Sequence, residues 1–408
     1  MKVAFLVNDL QLSGGVGVVV QHARRLSAME DWDVTLVLVR DAEGPSWHGY
    51  GHLPHLHVCS RLEAMADRYD IAVATWWETA FSLFEISAER HVYFVQSLED
   101  RFYHHTQVEQ LAAAMTLDLP VAFITEAQWI VDTLADLRPD APCYLVRNGI
   151  DKETFAPLAE VAPSQGPLRV LIEGSPYVWF KHVPEAVQAA AAMLEPHRVT
   201  VVASDLRGGT ELAADEVVGP LSQREMAELY ASNDVLLKLS SVEGVSGPPL
   251  EAFHRGATCV VTPVTGHDEY VEHGVNGLLT DWDDLRGTAR HLDLLARDRA
   301  LLHFLRTNAL ETARAWPSWE ESSQQMAAAL LAIREEPQPG GPVASARLLA
   351  DLCGGVETYN ASLGHHMDIV QQALLLQHRV NRVRGSKWAR PLRPVTRPVS
   401  RLVRRAAS

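Results

Sequence analysis

Residues 157–174 read PLAEVAPSQGPLRVLIEG, and this stretch decides the fold. Its first eleven residues, rich in proline and small side chains, have the composition of a linker. The seven that come next, LRVLIEG (168–174), form an apolar run rich in branched residues that ends at glycine, as a buried strand does. The boundary matters because the same rhythm has already run once upstream. KVAFLVN (2–8) is followed by a helical pattern over 16–29, in which Val18, Val19, His22, Leu26 and Met29 fall roughly on one face. Further strand signals come at DVTLVLV (33–39), IAVAT (71–75), HVYFVQ (91–96), VAFIT (121–125) and CYLVRN (143–148). Downstream of the linker the order is a helix near 183–194, RVTVVAS (198–204), EVVGPL (216–221), a helix at 223–232, DVLLKLS (234–240), a helix from 249, and TCVVT (258–262). Strands alternating with helices predict parallel sheets covered on both faces. The chain therefore reads as two doubly wound α/β domains facing each other across a cleft, where ligands of such folds bind.

The boundaries rest on the same punctuation. Residues 1–160 form the first domain and 166–317 the second. Pro317 ends a helix and Ser318 caps another over 318–335, which is expected to return to the first domain. EPQPGGP (336–342) sets off a tail, 336–408, whose residues 343–382 look helical and whose last residues, with prolines at 391, 394 and 398, do not.

Composition narrows the class. In 408 residues, 47% hydrophobic and 21% charged, each domain can bury a sizeable core without staples. Cys59, Cys143, Cys259 and Cys353 are far apart and show no C-x-x-C spacing, as expected of isolated thiols in a reducing cytosol. Only five apolar residues separate Met1-Lys2 from Asn8-Asp9, shorter than a secretory core, and no run of eighteen apolar residues occurs. A cytoplasmic location is expected. The net charge is −15, yet no acidic residue follows Asp368, and ten Arg or Lys lie between Arg379 and Arg405. With those ten set aside, 26 basic residues face 51 acidic ones, so the body carries about −25 and is unsuited to nucleic acid. The tail has three readings: contact with anionic lipid headgroups at the inner membrane face, a clasp on a partner or on the acidic body, and a disordered end.

The chemistry concentrates in Glu243–Gly256, EGVSGPPLEAFHRG, directly after a buried strand. Two carboxylates stand eight positions apart, the first in a Gly/Ser/Pro loop and the second on the first turn of a helix opened by Pro248-Pro249. The amides of Val245, Ser246 and Gly247 and the helix N-terminus make a seat for phosphate. Carboxylates beside such a seat accept hydrogen bonds from sugar and ribose hydroxyls. Upstream, GSPYVWFKH (174–182) brings Lys181 to the end of the second domain's first strand. In the first domain, SGGVGVVVQHARRL (13–26) places glycines at a strand-to-helix turn, where they permit close approach of a ligand. G-x-G at 15–17 is followed by Val18-Val19-Val20, so the third small residue of a dinucleotide fingerprint is absent.

The E-x7-E spacing with its P-P-L-E-A run resembles the donor site of the retaining glycosyltransferases of family 4, which have the GT-B fold of two Rossmann-like domains. The resemblance covers roughly residues 1–335. It includes RNGID (147–151), close to the family's P-N-G-V-D, LSQREMAELYASNDVLLKLS (221–240) and TGHDEYVEHGVNGLL (265–279). TWWETA (75–80) and YFVQSLEDRFY (93–103) resemble a branch that includes bacterial rhamnosyltransferases of surface polysaccharides. The resemblance implies that Glu243 contacts the transferred sugar, Glu251 holds the ribose and Lys181 neutralises the diphosphate. Gly14 and Gly15 would lie against donor phosphate and acceptor, and Gln96 stands where many members have a histidine. Base recognition would fall around Gly219–Leu221, with Gly219 and Leu221 as donor contacts, and around Ser204–Leu206. The family's diphosphate arginine is missing: Gly174-Ser175 and apolar residues occupy its region.

The expected activity is that of a metal-free, cofactor-free hexosyltransferase that retains anomeric configuration. Its donor would be a nucleoside-diphosphate sugar, its acceptor a saccharide, lipid-linked sugar or small molecule, and the leaving phosphate would take the acceptor's proton. The alternatives are a sugar-nucleotide epimerase of the same fold, a nicotinamide-dependent dehydrogenase, disfavoured by Val20, and a non-catalytic sugar-nucleotide-binding scaffold. His48, His52, His55 and His57 match no closed zinc site. Asp31-x-Asp33 and Asp281-x-Asp283 imitate the metal-binding D-x-D of another transferase fold and read as surface.

Overall fold

The computed structural model describes residues 1–11, 13–40, 56–104, 107–206, 212–339 and 354–355. The basic tail, Cys353, nearly all of 343–382, and three of the four clustered histidines, His48, His52 and His55, lie outside them. The described chain builds two wholly parallel sheets. The first contains β1 (Lys2–Val7), β2 (Asp33–Leu38), β3 (His57–Ser60), β4 (Arg68–Ala74), β5 (Ser87–Val95), β6 (Ala122–Thr125) and β7 (Cys143–Leu145), in the order β3-β2-β1-β4-β5-β6-β7. The second contains β8 (Leu168–Glu173), β9 (His197–Val202), β10 (Glu216–Val218), β11 (Val235–Lys238), β12 (Thr258–Val261) and β13 (Gly277–Leu279), in the order β10-β9-β8-β11-β12-β13. In both, the order reverses beside the first strand, which opens a crevice at the carboxyl ends of the strands.

Central strands such as β1, β6 and β11 are buried on both faces, which explains why their sequences are continuous apolar runs and not alternating ones. Each sheet separates two apolar cores. Val3, Phe5, Leu36 and Phe94 lie on one face of the first sheet, and Leu6, Tyr93 and Phe123 on the other. Ile172, Val201 and Leu237 face one way in the second sheet, and Leu171, Leu236 and Val261 the other. Two edge strands escape the sequence reading. β3 is four residues long with only Cys59 buried, and β13 has three residues beginning at a glycine, so neither carries a periodic apolar signal.

The Pro-rich segment between the halves is pinned to the second one. Arg314 Nη2 donates to the carbonyls of Leu158 (2.7 Å) and Ala159 (2.6 Å), and Arg306 Nη1 to that of Ala162 (3.1 Å). A second crossing runs beside the first: Ile150 N donates to Pro317 O at 3.0 Å and Trp316 Nε1 to Asn148 O at 2.9 Å. Beyond it, the helix Trp319–Glu335 packs Met326, Leu330 and Ile333 into the core of the first half.

Candidate active site

Two adjacent central strands of the second half, β8 and β11, end on charged residues, Glu173 after the apolar run Val170–Ile172 and Lys238 after Val235–Leu237. Lys238 is only 2% exposed and needs partners to remain charged there. Its Nζ lies 2.7 Å from Glu173 Oε2 and 3.5 Å from Glu243 Oε1. Lys181, on the turn Trp179–Lys181 that comes after β8, approaches Glu243 from the other side, at 2.8 and 3.0 Å from its two oxygens. That turn is tied to the Glu243 loop, because Ser241 N donates to Phe180 O (2.8 Å) and the Ser241 hydroxyl meets His182 Nε2 (3.1 Å). Burial alone would push the Glu243 carboxyl up, but the ammonium groups of Lys181 and Lys238 outweigh it and hold the group at about 2. Lys238 is likewise opposed by burial and carried up to about 12 by Glu173 and Glu243. The result is a compact array of two cations and two anions, in which loss of the buried Lys238 would strand the Glu173 carboxylate.

Glu251 belongs to the helix Gly247–His254, as its fifth residue. This corrects the sequence expectation: it stands on the second turn, because the helix begins at Gly247, one residue ahead of the prolines. Burial and the nearby Glu173 carboxylate raise it to about 7. The phosphate seat also differs from expectation. The Val245 amide is not free, since it donates to Glu126 Oε1 at 2.8 Å. Of the four positions whose N–H groups a helix leaves unpaired, Ser246 to Pro249, the two prolines have no N–H, which leaves the Ser246 and Gly247 amides as donors. The same prolines explain an uncapped helix. Ser246 is its N-cap, but the second and third positions that a cap hydroxyl serves are both proline. The buried Ser246 hydroxyl consequently has no partner among the described residues.

The Glu243 loop is also where the halves meet. A Cβ on Gly244 would lie 1.9 Å from the carbonyl oxygen of Gln96, so only glycine fits. Ser97 Oγ reaches the Glu243 carbonyl at 3.5 Å, and Trp129 Nε1 donates to the Gly244 carbonyl at 3.1 Å. Glu126 is pushed up to about 8 by burial first and by Glu243 and Glu269 next, and its second oxygen accepts from Asn148 Nδ2 at 2.5 Å. A second bridge is aromatic: Phe102 packs on Phe180 (5.1 Å), His104 stacks on Trp179 (4.6 Å), and Trp179 Nε1 donates to Phe102 O (3.2 Å).

From the first half, Gly14 and Gly15 open the helix Gly14–Ser27, capped by Ser13. Gly15 faces the Gln96 side chain, Gly14 borders open space, and Gln96 Nε2 donates to Thr75 O at 3.2 Å. Gln96 therefore joins the glycine turn to the Gly244 loop. Gly219 adopts φ +128°, and a side chain there would strike the Ala203 carbonyl, so the turns 219–221 and 203–206 pack together, with Leu221 against the core behind them. Ser175, in the region of the missing arginine, donates to Asp205 at 2.6 Å. Among the described residues, no group of three or more His, Cys, Asp or Glu could hold a metal ion, and no helix is long and apolar enough to cross a membrane. Sequence reasoning missed Lys238, Glu173, Glu126 and Gly244. For the first two the signal was present, as a lysine and a glutamate that each close a run of three buried apolar residues.

Residues 170–298 match the family model described as glycosyl transferases group 1. N-acetyl-alpha-D-glucosaminyl L-malate synthase of Bacillus anthracis is 25% identical over 48% of this chain and 58% of its own length. The chain thus spans less than two thirds of that curated relative. HepE of Anabaena, solved with UDP and glucose, superposes with TM-score 0.66 at 18% identity, over 81% of this chain and 100% of that one. Sucrose-phosphate synthase of Thermosynechococcus elongatus does so with TM-score 0.67 at 16% identity, over 81% and 98%. The fold is GT-B, and residues 170–298 of its second half match the group 1 glycosyltransferase model.

Proposed function

We propose that this chain is a retaining glycosyltransferase that moves a sugar from a nucleoside-diphosphate donor to an acceptor hydroxyl without a metal. The observation that carries the reading is the Lys181–Glu243 pair at 2.8 Å, set where the second half, matching group 1 glycosyltransferases, meets the first. The named relatives and the complexes of HepE with UDP and with UDP-glucose support the donor class.

In this reading the acceptor oxygen bonds to the anomeric carbon as the carbon–oxygen bond to the diphosphate breaks, on the same face. The acceptor's proton passes to the leaving phosphate oxygen, so no protein base is required. The charge growing on the diphosphate must be met in the transition state. Lys181, the Ser246 and Gly247 amides and the Ser246 hydroxyl supply the donors. Glu243 accepts from hydroxyls of the transferred sugar and Glu251 from the ribose. Gly14, Gly15 and Gln96 close the cleft from the other side, which sets the acceptor against the donor and excludes water. Gly219 and Leu221 border the base.

The test is incubation with UDP-, GDP-, ADP- and dTDP-sugars and a panel of mono- and disaccharide acceptors, with and without a chelator. Products would be read by mass spectrometry and their anomeric configuration by NMR. Transfer with an unchanged anomeric configuration, insensitive to chelation, is expected. Interconversion of sugars on the intact donor would replace the reading with the epimerase. Donor binding without turnover on any acceptor would replace it with the scaffold.

A further inference from the structure

We propose that Lys238 is a positioning residue that frees Lys181 to bind diphosphate by taking over Glu243 when the donor arrives. The inference rests on the donor-site reading under Proposed function. Without ligand, Lys181 is committed, with both Glu243 oxygens within 3.0 Å of its Nζ. A diphosphate needs that ammonium, because few other donors are at hand. The Val245 amide is taken by Glu126, two residues of the helix's first turn are prolines, and Ser175 bonds to Asp205 where the resembling family has an arginine. But for Lys238, drawing Lys181 away would leave Glu243, only 9% exposed, as a buried anion without a counter-ion, a strongly unfavourable change.

Lys238 removes that obstacle. It already sits 3.5 Å from Glu243 Oε1, with a strand-fixed backbone and a side chain enclosed on all sides. It is held there by Glu173 at 2.7 Å, on the neighbouring strand. Before binding, the array is balanced, Lys181 and Lys238 against Glu173 and Glu243. After Lys181 turns to the diphosphate, Lys238 still faces both carboxylates and Glu243 stays ionised, able to accept from sugar hydroxyls. A site with Lys181 alone would have to divide one ammonium between the phosphate and the carboxylate.

The experiment measures binding of UDP, GDP, ADP and dTDP by titration calorimetry to the full chain. Because Lys238→Met alone strands Glu173 and risks misfolding, the principal variant is Glu173→Gln/Lys238→Met, which removes the buried pair together and leaves Lys181–Glu243 neutral. Its fold is checked by circular dichroism and thermal unfolding. The wild type is expected to bind one nucleoside diphosphate. The paired variant should bind it at least about tenfold more weakly, because Lys181 stays locked on Glu243. Adding Glu243→Gln to the paired variant should restore affinity, since Lys181 is then released. Wild-type-like affinity in the folded paired variant would overturn the inference and leave the donor reading intact. So would a weakened variant that Glu243→Gln does not rescue. A wild type that binds none of the four would overturn the donor reading, and this inference with it.

Discussion

Two buried carboxyls meet at the junction of the halves and are treated in opposite ways. Glu243, from the second half, is held down at about 2 by Lys181 and Lys238. Glu126, from the first, has no ammonium partner among the described residues and is driven up to about 8 by burial and by the negative charge of Glu243 and Glu269. The second half, then, contributes charge at this point. The first contributes a neutral carboxyl, the Gln96 amide and the glycine turn at Gly14-Gly15. The contrast separates two jobs: Glu243 is kept ionised beside cations that a phosphate can use, and Glu126 is kept uncharged so that it can bind the Val245 amide without another buried charge. An asymmetric cleft of this kind suits a donor whose charge lies on one side and whose sugar and acceptor lie on the other.

The sharpest way to break the contrast is to remove its cation. Lys181→Ala should leave the fold largely intact while lowering transfer about 10²–10³-fold, the scale seen when one transition-state stabiliser is deleted. Initial rates at saturating donor and acceptor check this, and an unchanged rate would assign the charge stabilisation elsewhere. Next is the contact that joins the two carboxyls' loops. In Gly244→Ala the new methyl meets the Gln96 carbonyl, and separation of the halves or distortion of the loop should cost about 2–4 kcal/mol. Chemical denaturation measures it, and a loss below about 1 kcal/mol would show that the junction yields.

A smaller effect distinguishes the carboxyls by pH. The folded protein keeps the Glu126 proton up to about 8, while the unfolded chain gives it up near the ordinary 4.5. Wild-type stability should therefore fall as pH rises between those values, by at most about 1.4 kcal/mol per unit from this group. Glu126→Gln removes the slope, so the variant should gain on the wild type across that interval. Turning the Asn148 amide over presents its unpartnered Oδ1 to the new NH₂ group. Parallel pH–stability curves would contradict a protonated Glu126. The smallest effect concerns Glu251, raised to about 7. If its carboxylate accepts from ribose hydroxyls, nucleotide affinity should rise a few-fold as pH climbs through that value, and Glu251→Gln should flatten the profile.

Much of the frame is legible in the residues. Continuous apolar runs mark the central strands, and the Pro-rich stretch at 157–167 marks the passage between the halves. Short edge strands are not legible, since β3 buries one side chain and β13 has three residues. In the site, spacing and resemblance point to Lys181, Glu243 and Glu251, and the structure brings the first two into direct contact. The hidden part depends on docking. Nothing local to Thr125-Glu126-Ala127 announces that Glu126 will meet the Val245 amide 119 residues away, or that Gly244 will touch Gln96. Lys238 is the instructive miss, because DVLLKLS reads as a strand through its apolar residues. A lysine inside a run buried on both faces demands an acid nearby, and Glu173, at the end of the neighbouring strand β8, supplies it.

The decisive measurement is a titration of UDP, GDP, ADP, CMP and dTDP, with NAD(H) alongside, into the wild type and Glu251→Ala. A donor cleft built on the Lys181–Glu243–Lys238 array should bind one nucleoside diphosphate. At about a hundred times its Kd that ligand should add about 2.7 kcal/mol of stability, and the variant should lose most of it. A chain that binds only NAD(H), or whose affinity for every nucleotide is the same in both proteins, would contradict the assignment of this cleft to a sugar-nucleotide donor.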